Sequence, residues 1–185
     1  DKRRAEIMPV QPPTFVMLAG LPGSGKSTLA AALGARLGWP ILDKDILNAV
    51  LLTTQHDQAQ AGPLAYELVL TMAHQLFVVQ RLSLILDTAG RQPLLLEQAR
   101  TMVAEAPGTL KVIRLATSHA IRQARLSQRA AGPSQWRSDN TSAEQEAAWY
   151  AHLPTDTLLL DGAQTVDALL TQTLVFLQPE TTCKQ

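Results

Sequence analysis

Residues 20–30 read "GLPGSGKSTLA", and the reading of this stretch decides the fold. It follows an apolar run, "TFVMLA" (14–19), and opens a segment of helical period from Lys26 to Leu37, with Leu29, Leu33 and Leu37 on one stripe and Gly38 as its stop. Gly20, Gly25, Lys26 and Ser27 fit the pattern G-x-x-x-x-G-K-[ST]. Such a loop holds phosphate because glycines let backbone N–H groups curl around the oxygens, and the helix that follows points its positive end at them. The expected phosphate ligands are the loop residues Gly20, Leu21, Pro22, Gly23, Ser24 and Gly25 with Lys26, Ser27 and Thr28. Lys26 is expected to reach the β- and γ-phosphates, the Ser27 hydroxyl to ligate Mg²⁺, and Thr28 to sit nearer the α-phosphate.

Working outward, short apolar runs alternate with helical segments. Runs at 39–43 ("WPILD"), 82–87 ("LSLILD"), 110–116 ("LKVIRLA") and 157–161 ("TLLLD") are expected strands. Between them the pattern predicts a helical turn or two at 45–52 and helices at 64–81, 92–106, 119–131, 142–150 and 164–177. Ser118 is placed as an N-cap, and 56–63 ("HDQAQAGP") as a polar loop. Five apolar strands alternating with helices predict a parallel sheet covered on both faces, an α/β fold. Residues 1–13, with prolines at 9, 12 and 13, and 179–185 read as flexible ends around one domain at 14–178.

Composition narrows the function. The 185 residues are 46% hydrophobic, enough for one well-packed domain. Basic and acidic residues balance at sixteen each, which disfavours a nucleic-acid partner. A single cysteine, Cys183, builds no disulfide framework and predicts a reducing, cytoplasmic setting. No apolar run reaches the roughly 18 residues of a spanning helix, so no membrane partner is expected. His56, His74, His119 and His152 lack metal-ligand spacing, and Trp39, Trp136 and Trp149 are too scattered for a base-stacking platform.

Asp43 and Asp45 follow the second strand in "LDKD". Ligands bind beyond the carboxyl ends of parallel strands, so a turn here aims carboxylates at the phosphate crevice. One is expected to serve Mg²⁺; the other, Asp45, to orient an acceptor hydroxyl and take its proton. The competing reading of Asp45 is a helix cap.

The stretches "GLPGSGKSTLAAAL" and "LGWPILDKDIL" resemble the small P-loop kinases, an AAA_33-like ATP-binding group with polynucleotide, gluconate, adenylylsulfate and shikimate kinases and chloramphenicol phosphotransferase among its relatives. The resemblance implies the strand order 2-3-1-4-5 and an aspartate touching the acceptor hydroxyl, at the position of Asp45. Asp43 matches the first aspartate of a D-x-D variant of that pattern. The likeness is specific in the first fifty residues and follows element order beyond them.

Asp87, after four apolar strand residues, reads as a Walker B carboxylate for Mg²⁺ or its water. Thr88 and Arg91 follow at the crevice mouth, where the resemblance places acceptor contacts. Arg122, Arg125 and Arg129 share a helical face at i, i+3 and i+7, and are expected to clamp the γ-phosphate from a lid at 119–141, joined by Arg137. Gly162 and Ala163 match the place where these kinases pass backbone past adenine, with a strand-to-helix turn capped by Asp161 or Thr165 as the competing reading. The sequence thus points to a kinase moving the γ-phosphate of Mg-ATP to a hydroxyl of a small molecule, monomeric or homodimeric, with its acceptor pocket formed from 47–67. A polynucleotide 5′-hydroxyl kinase and a nucleotide-binding ATPase or switch without an acceptor are the alternatives.

Overall fold

The computed structural model describes residues 12–54, 57–129 and 140–178. Expectations for His56, Trp136, Arg137 and Cys183 lie outside these residues, as do most of the two terminal segments.

The five strands are β1 (Thr14–Ala19), β2 (Ile41–Asp43), β3 (Leu84–Asp87), β4 (Thr109–Ala116) and β5 (Leu158–Asp161). All pair in parallel, as the apolar runs predict, in the order β2-β3-β1-β4-β5 that the resemblance implies. The helices are α1 (Lys26–Leu37), α2 (Lys44–Thr53), α3 (Gln58–His74), α4 (Pro93–Glu105), α5 (His119–Ser127), α6 (Ala143–Tyr150) and α7 (Val166–Leu177).

Strand alternation explains the layers. Phe15 and Met17 of β1 and Leu84 and Leu86 of β3 face one way, into a core with Val69, Ala73, Leu95 and Ala99 of α3 and α4. Val16, Leu18, Ile85, Ile113 and Leu115 face the other way, into a core with Leu29 and Leu33 of α1 and Leu169 of α7. A sheet covered on both faces needs apolar residues at every strand position, which is why these runs are continuous in sequence.

One expectation fails. Residues 58–63 are not a loop but the start of α3. Asp57 accepts from the Gln60 backbone N–H at 2.9 Å, and the Gln60 side chain accepts from the Asp57 N–H at 3.4 Å. This reciprocal cap, with buried Ala61 and Ala65, offsets the missing N–H of Pro63 inside the helix. At its far end α3 passes into a π-helical turn at Gln75–Val79. The buried residues Ala61, Ala65, Val69, Ala73 and Phe77 recur every four residues. That repeat drifts around a 3.6-residue helix, and the wider π turn winds Phe77 back onto the core, edge-on to Phe15 at 5.5 Å. The 22-residue run Gln58–Val79 contains an 18-residue window with a mean hydropathy of 1.2, long and apolar enough to cross a membrane; its buried stripe packs on the sheet instead.

Candidate active site

The phosphate loop joins β1 to α1 at the C-terminal edge of the sheet. Gly20, Gly23 and Gly25 all have positive φ. At Gly23, with φ of 79°, a Cβ would also lie 2.9 Å from the Arg122 carbonyl oxygen, so the loop is shaped by the helix beneath it. The Lys26 ammonium folds back over the loop, donating to the Leu21 carbonyl at 3.1 Å and the Ser24 hydroxyl at 3.4 Å. Burial lowers its pKa below the ordinary lysine value, against the opposing pull of Asp87, Asp45 and Asp43.

Asp87 ends β3, is 5% exposed, and accepts a hydrogen bond from the Ser27 hydroxyl. Burial raises its pKa, with Ser27 and Lys26 working against the rise. Asp43 sits beside it, in register across the β2–β3 pair. Burial raises the Asp43 carboxyl as well, opposed mainly by the hydrogen bond from the Asp45 backbone. Hydroxyl and carboxylate oxygens are the donor set of a hard cation, and the buried Asp87 carboxylate has the charge to gain from one. The residues present therefore fit Mg²⁺ held by Ser27 and Asp87. Among the described residues no three His, Cys, Asp or Glu form a cage of their own, which an ion shared with phosphate oxygens does not need.

The two aspartates of "LDKD" divide their roles. Asp43 is the N-cap of α2: its Oδ1 accepts from the Asp45 N–H at 2.7 Å, and it does not line the cleft. The capping role open to Asp45 in the sequence is thus taken by Asp43 through one of its carboxylate oxygens. Asp45 lies in the first turn of α2, exposed, lining the cleft with Lys26, Ser27 and Asp87 and paired with Lys44 at 3.0 Å.

The arginine face turns inward. Arg122 is 2% exposed and donates through Nε to the Thr117 carbonyl at 3.1 Å. Arg125 donates to the Gly23 and Ser24 carbonyls, both at 3.3 Å, and to the Gly162 carbonyl at 2.8 Å. The spacing fixed a common face but not which way it looked. Arg125 thus braces the phosphate loop from behind, and Arg122 is held on the Thr117 carbonyl next to it. Arg129, just past α5, lines the phosphate cleft and bears on the Lys26 charge.

Beside the loop lies a cavity of about 370 Å³ lined by Thr28, Arg125, Arg129, Gly162, Gln164 and Leu169. Its position and size suit a nucleotide base. Gly162 is glycine for another reason too: a Cβ there would collide with the Thr117 hydroxyl and the Ser24 carbonyl. Ala163 does not line this cavity; its N–H donates to the Asp161 carboxylate at 2.9 Å, and Thr165 caps α7.

At the other end of the cleft Thr88 and Arg91, expected at its mouth, and Tyr66, within the expected pocket segment, join Asp45, together with Lys44 and Ala89, which the sequence reading did not single out. The Lys44 ammonium lies 5.0 Å from the centre of the Tyr66 ring, and the Arg91 guanidinium 4.7 Å from that of Trp149. Tyr150 donates its hydroxyl to the Ala89 carbonyl at 2.9 Å and fixes the turn that carries Arg91. A lysine between two aspartates was the available signal for Lys44; the aromatic partners come from distant segments and left none.

Residues 15–153 match the AAA domain family AAA_33. The chain belongs to this family. No curated protein matches the sequence. Among solved structures, this AAA_33 chain is similar to a candidate kinase from Chloroflexus aurantiacus, with TM-score 0.69 and 24% identity over 91% of this chain and 100% of that one. An APS kinase from Mycobacterium tuberculosis, in complex with AMPPNP and APS, gives 0.60 and 16% over 92% and 100%. A gluconokinase from Sinorhizobium meliloti gives 0.55 and 17% over 90% and 93%. At these identities the likeness establishes the kinase-like P-loop fold.

Proposed function

We propose that the protein is an ATP-dependent phosphotransferase that moves the γ-phosphate of Mg-ATP to a hydroxyl of a small molecule. The observation that carries this is Asp45: an exposed carboxylate, left out of the helix cap, opening into the same cleft as Lys26, Ser27 and Asp87. The loop amides and Lys26 would hold the phosphates, and the cavity lined by Gly162 would take the base. Ser27 and Asp87 would hold Mg²⁺, which would supply charge neutralisation for the transferring phosphate. Arg129 adds positive charge from the other wall. The acceptor oxygen attacks the γ-phosphorus, its bond forming as the bond to the β–γ bridging oxygen breaks. Asp45 receives the hydroxyl proton, and ADP leaves.

The test is ADP release from Mg-ATP, alone and with a panel of hydroxylated acceptors, for the natural protein and Asp45→Asn. One acceptor should stimulate release, and the asparagine variant should lose about 10²- to 10⁴-fold of that stimulation while still binding nucleotide. Steady turnover indifferent to every acceptor and to the substitution would instead mark an ATPase or switch.

A further inference from the structure

One carbonyl joins the turn after β3 to the phosphate loop. The β1–β3 ladder runs as far as Leu18 and Asp87, and beyond it both chains turn. There the Ala89 carbonyl accepts twice, from the Gly20 N–H at 3.2 Å and from the Tyr150 hydroxyl at 2.9 Å. Gly20 opens the phosphate loop, and Ala89 stands two residues after Asp87. The turn itself is tight. The Gly90 N–H donates to the Thr88 hydroxyl at 2.7 Å, and a Cβ on Gly90, whose φ is 65°, would collide with Ala19. While Ala89 is held, Asp87 has little freedom to shift against the loop.

Tyr150 brings to that carbonyl a hydroxyl fixed from elsewhere. It ends α6, is 5% exposed, and packs with Ala19 and Leu21. The Arg114 guanidinium, on β4, lies 4.4 Å from its ring centre and also pairs at 2.9 Å with Glu146, one turn earlier on α6. The ordering cost of the tyrosine is therefore met by the fold, before any ligand arrives. Ala89 does not need this bond for pairing, since the Gly20 N–H already occupies its oxygen. What the second bond adds is restraint: the oxygen is located against α6 as well as against β1.

Building on the kinase reading above, we infer that Tyr150 is a positioning residue of the active site: through the Ala89 carbonyl it fixes Asp87 relative to Ser27 and the phosphate loop, and so sets the spacing that a cation shared by those two side chains requires. Tyr150 does not line the phosphate cleft, and acts through the turn. Mg²⁺ demands near-ideal octahedral geometry, whereas Ca²⁺ accepts irregular shells of longer bonds. A slackened turn therefore costs Mg²⁺ more than Ca²⁺. A tyrosine that only filled space beside β1 would make no such distinction.

The test is AMPPNP binding by calorimetry with Mg²⁺, with Ca²⁺ and with EDTA, for the natural protein and for Tyr150→Phe, which keeps the ring and loses the hydroxyl. Affinity without metal should be unchanged. The gain in affinity that Mg²⁺ brings should fall about 2- to 10-fold, the range of one hydrogen bond, and the gain from Ca²⁺ should fall less. Asp87→Asn should remove most of the Mg²⁺ gain, and Tyr150→Phe added to it should remove no more, because the tyrosine acts through Asp87. Equal losses in all three conditions overturn the inference. So does an undiminished Mg²⁺ gain in Tyr150→Phe, or full additivity of the two substitutions. ADP release with hydroxylated acceptors is followed alongside. If no acceptor stimulates the natural protein while the metal results come out as expected, the kinase reading falls and the place of Tyr150 stands.

Discussion

Asp87 carries a cost that its function explains. Burial raises its carboxyl pKa above the ordinary value of 3.8, so the ionised form is less favoured in the folded protein than in the unfolded chain. At neutral pH it is held ionised in a site that disfavours the charge, even with Lys26 and Ser27 opposing the rise. The cost is fully present above the raised pKa and disappears as pH falls below 3.8, where folded and unfolded chains are both protonated. Asp87→Asn should therefore melt higher than the natural protein at pH 7 without ligand, by about 2–4 °C for each kcal/mol relieved. The gain should shrink to nothing as the pH falls toward that value. The same variant should lose Mg²⁺-dependent nucleotide turnover. Melting curves at several pH values check the first part; a gain that grows on acidification would refute the burial argument.

At the scale of elements, α5 works as a brace. Its inward face is Arg122 and Arg125, and its carbonyl at Arg122 fits only a glycine at position 23. Arg125 connects two loops, the phosphate loop through the Gly23 and Ser24 carbonyls and the turn after β5 through the Gly162 carbonyl. Arg125→Ala removes three charge-assisted bonds and leaves their acceptors unmatched. Nucleotide affinity should fall about tenfold or more, at about 1.5–3 kcal/mol for a bond to a charged group, with a parallel loss of stability. Arg125→Lys should recover part of both, since an ammonium cannot fork across two loops. Fluorescence titration with a nucleotide analogue and urea unfolding measure the pair; unchanged affinity in the alanine variant would remove Arg125 from the site's architecture. This brace was half legible. The spacing 122, 125, 129 gave the shared face, but the side on which the sheet lies is a tertiary fact. Similarly, Gly62-Pro63 read as a loop because turn chemistry is local, while the Asp57–Gln60 cap and the burial of Ala61 and Ala65 decided for helix. Lys26, Ser27 and Asp87 were readable because one strand and one loop place all three. Lys44 with Tyr66 and Arg91 with Trp149 were not, because each pair joins separate segments.

Across the whole molecule, β1 is the shared floor of everything described. Its odd and even residues feed the two cores, its end launches the phosphate loop, and Ala19 and Leu21 pack with Tyr150 beside the turn after β3. The strand order steps outward from β1 in both directions, and the cleft opens at that point, where loops after β1 and β3 diverge. Two cores that share one strand cannot melt separately without exposing that strand's apolar faces, so unfolding should be a single cooperative event. Far-UV circular dichroism and tryptophan fluorescence should then give the same midpoint. A ligand that closes on the β1 loop should move both together. AMPPNP with Mg²⁺ at a hundred times its Kd stabilises by about 2.7 kcal/mol, or about 5–10 °C in a domain of this size, and Lys26→Met should abolish the shift. Two separated midpoints, or a shift seen by only one probe, would mean that the nucleotide end and the far core fold as distinct units, and that β1 does not couple them.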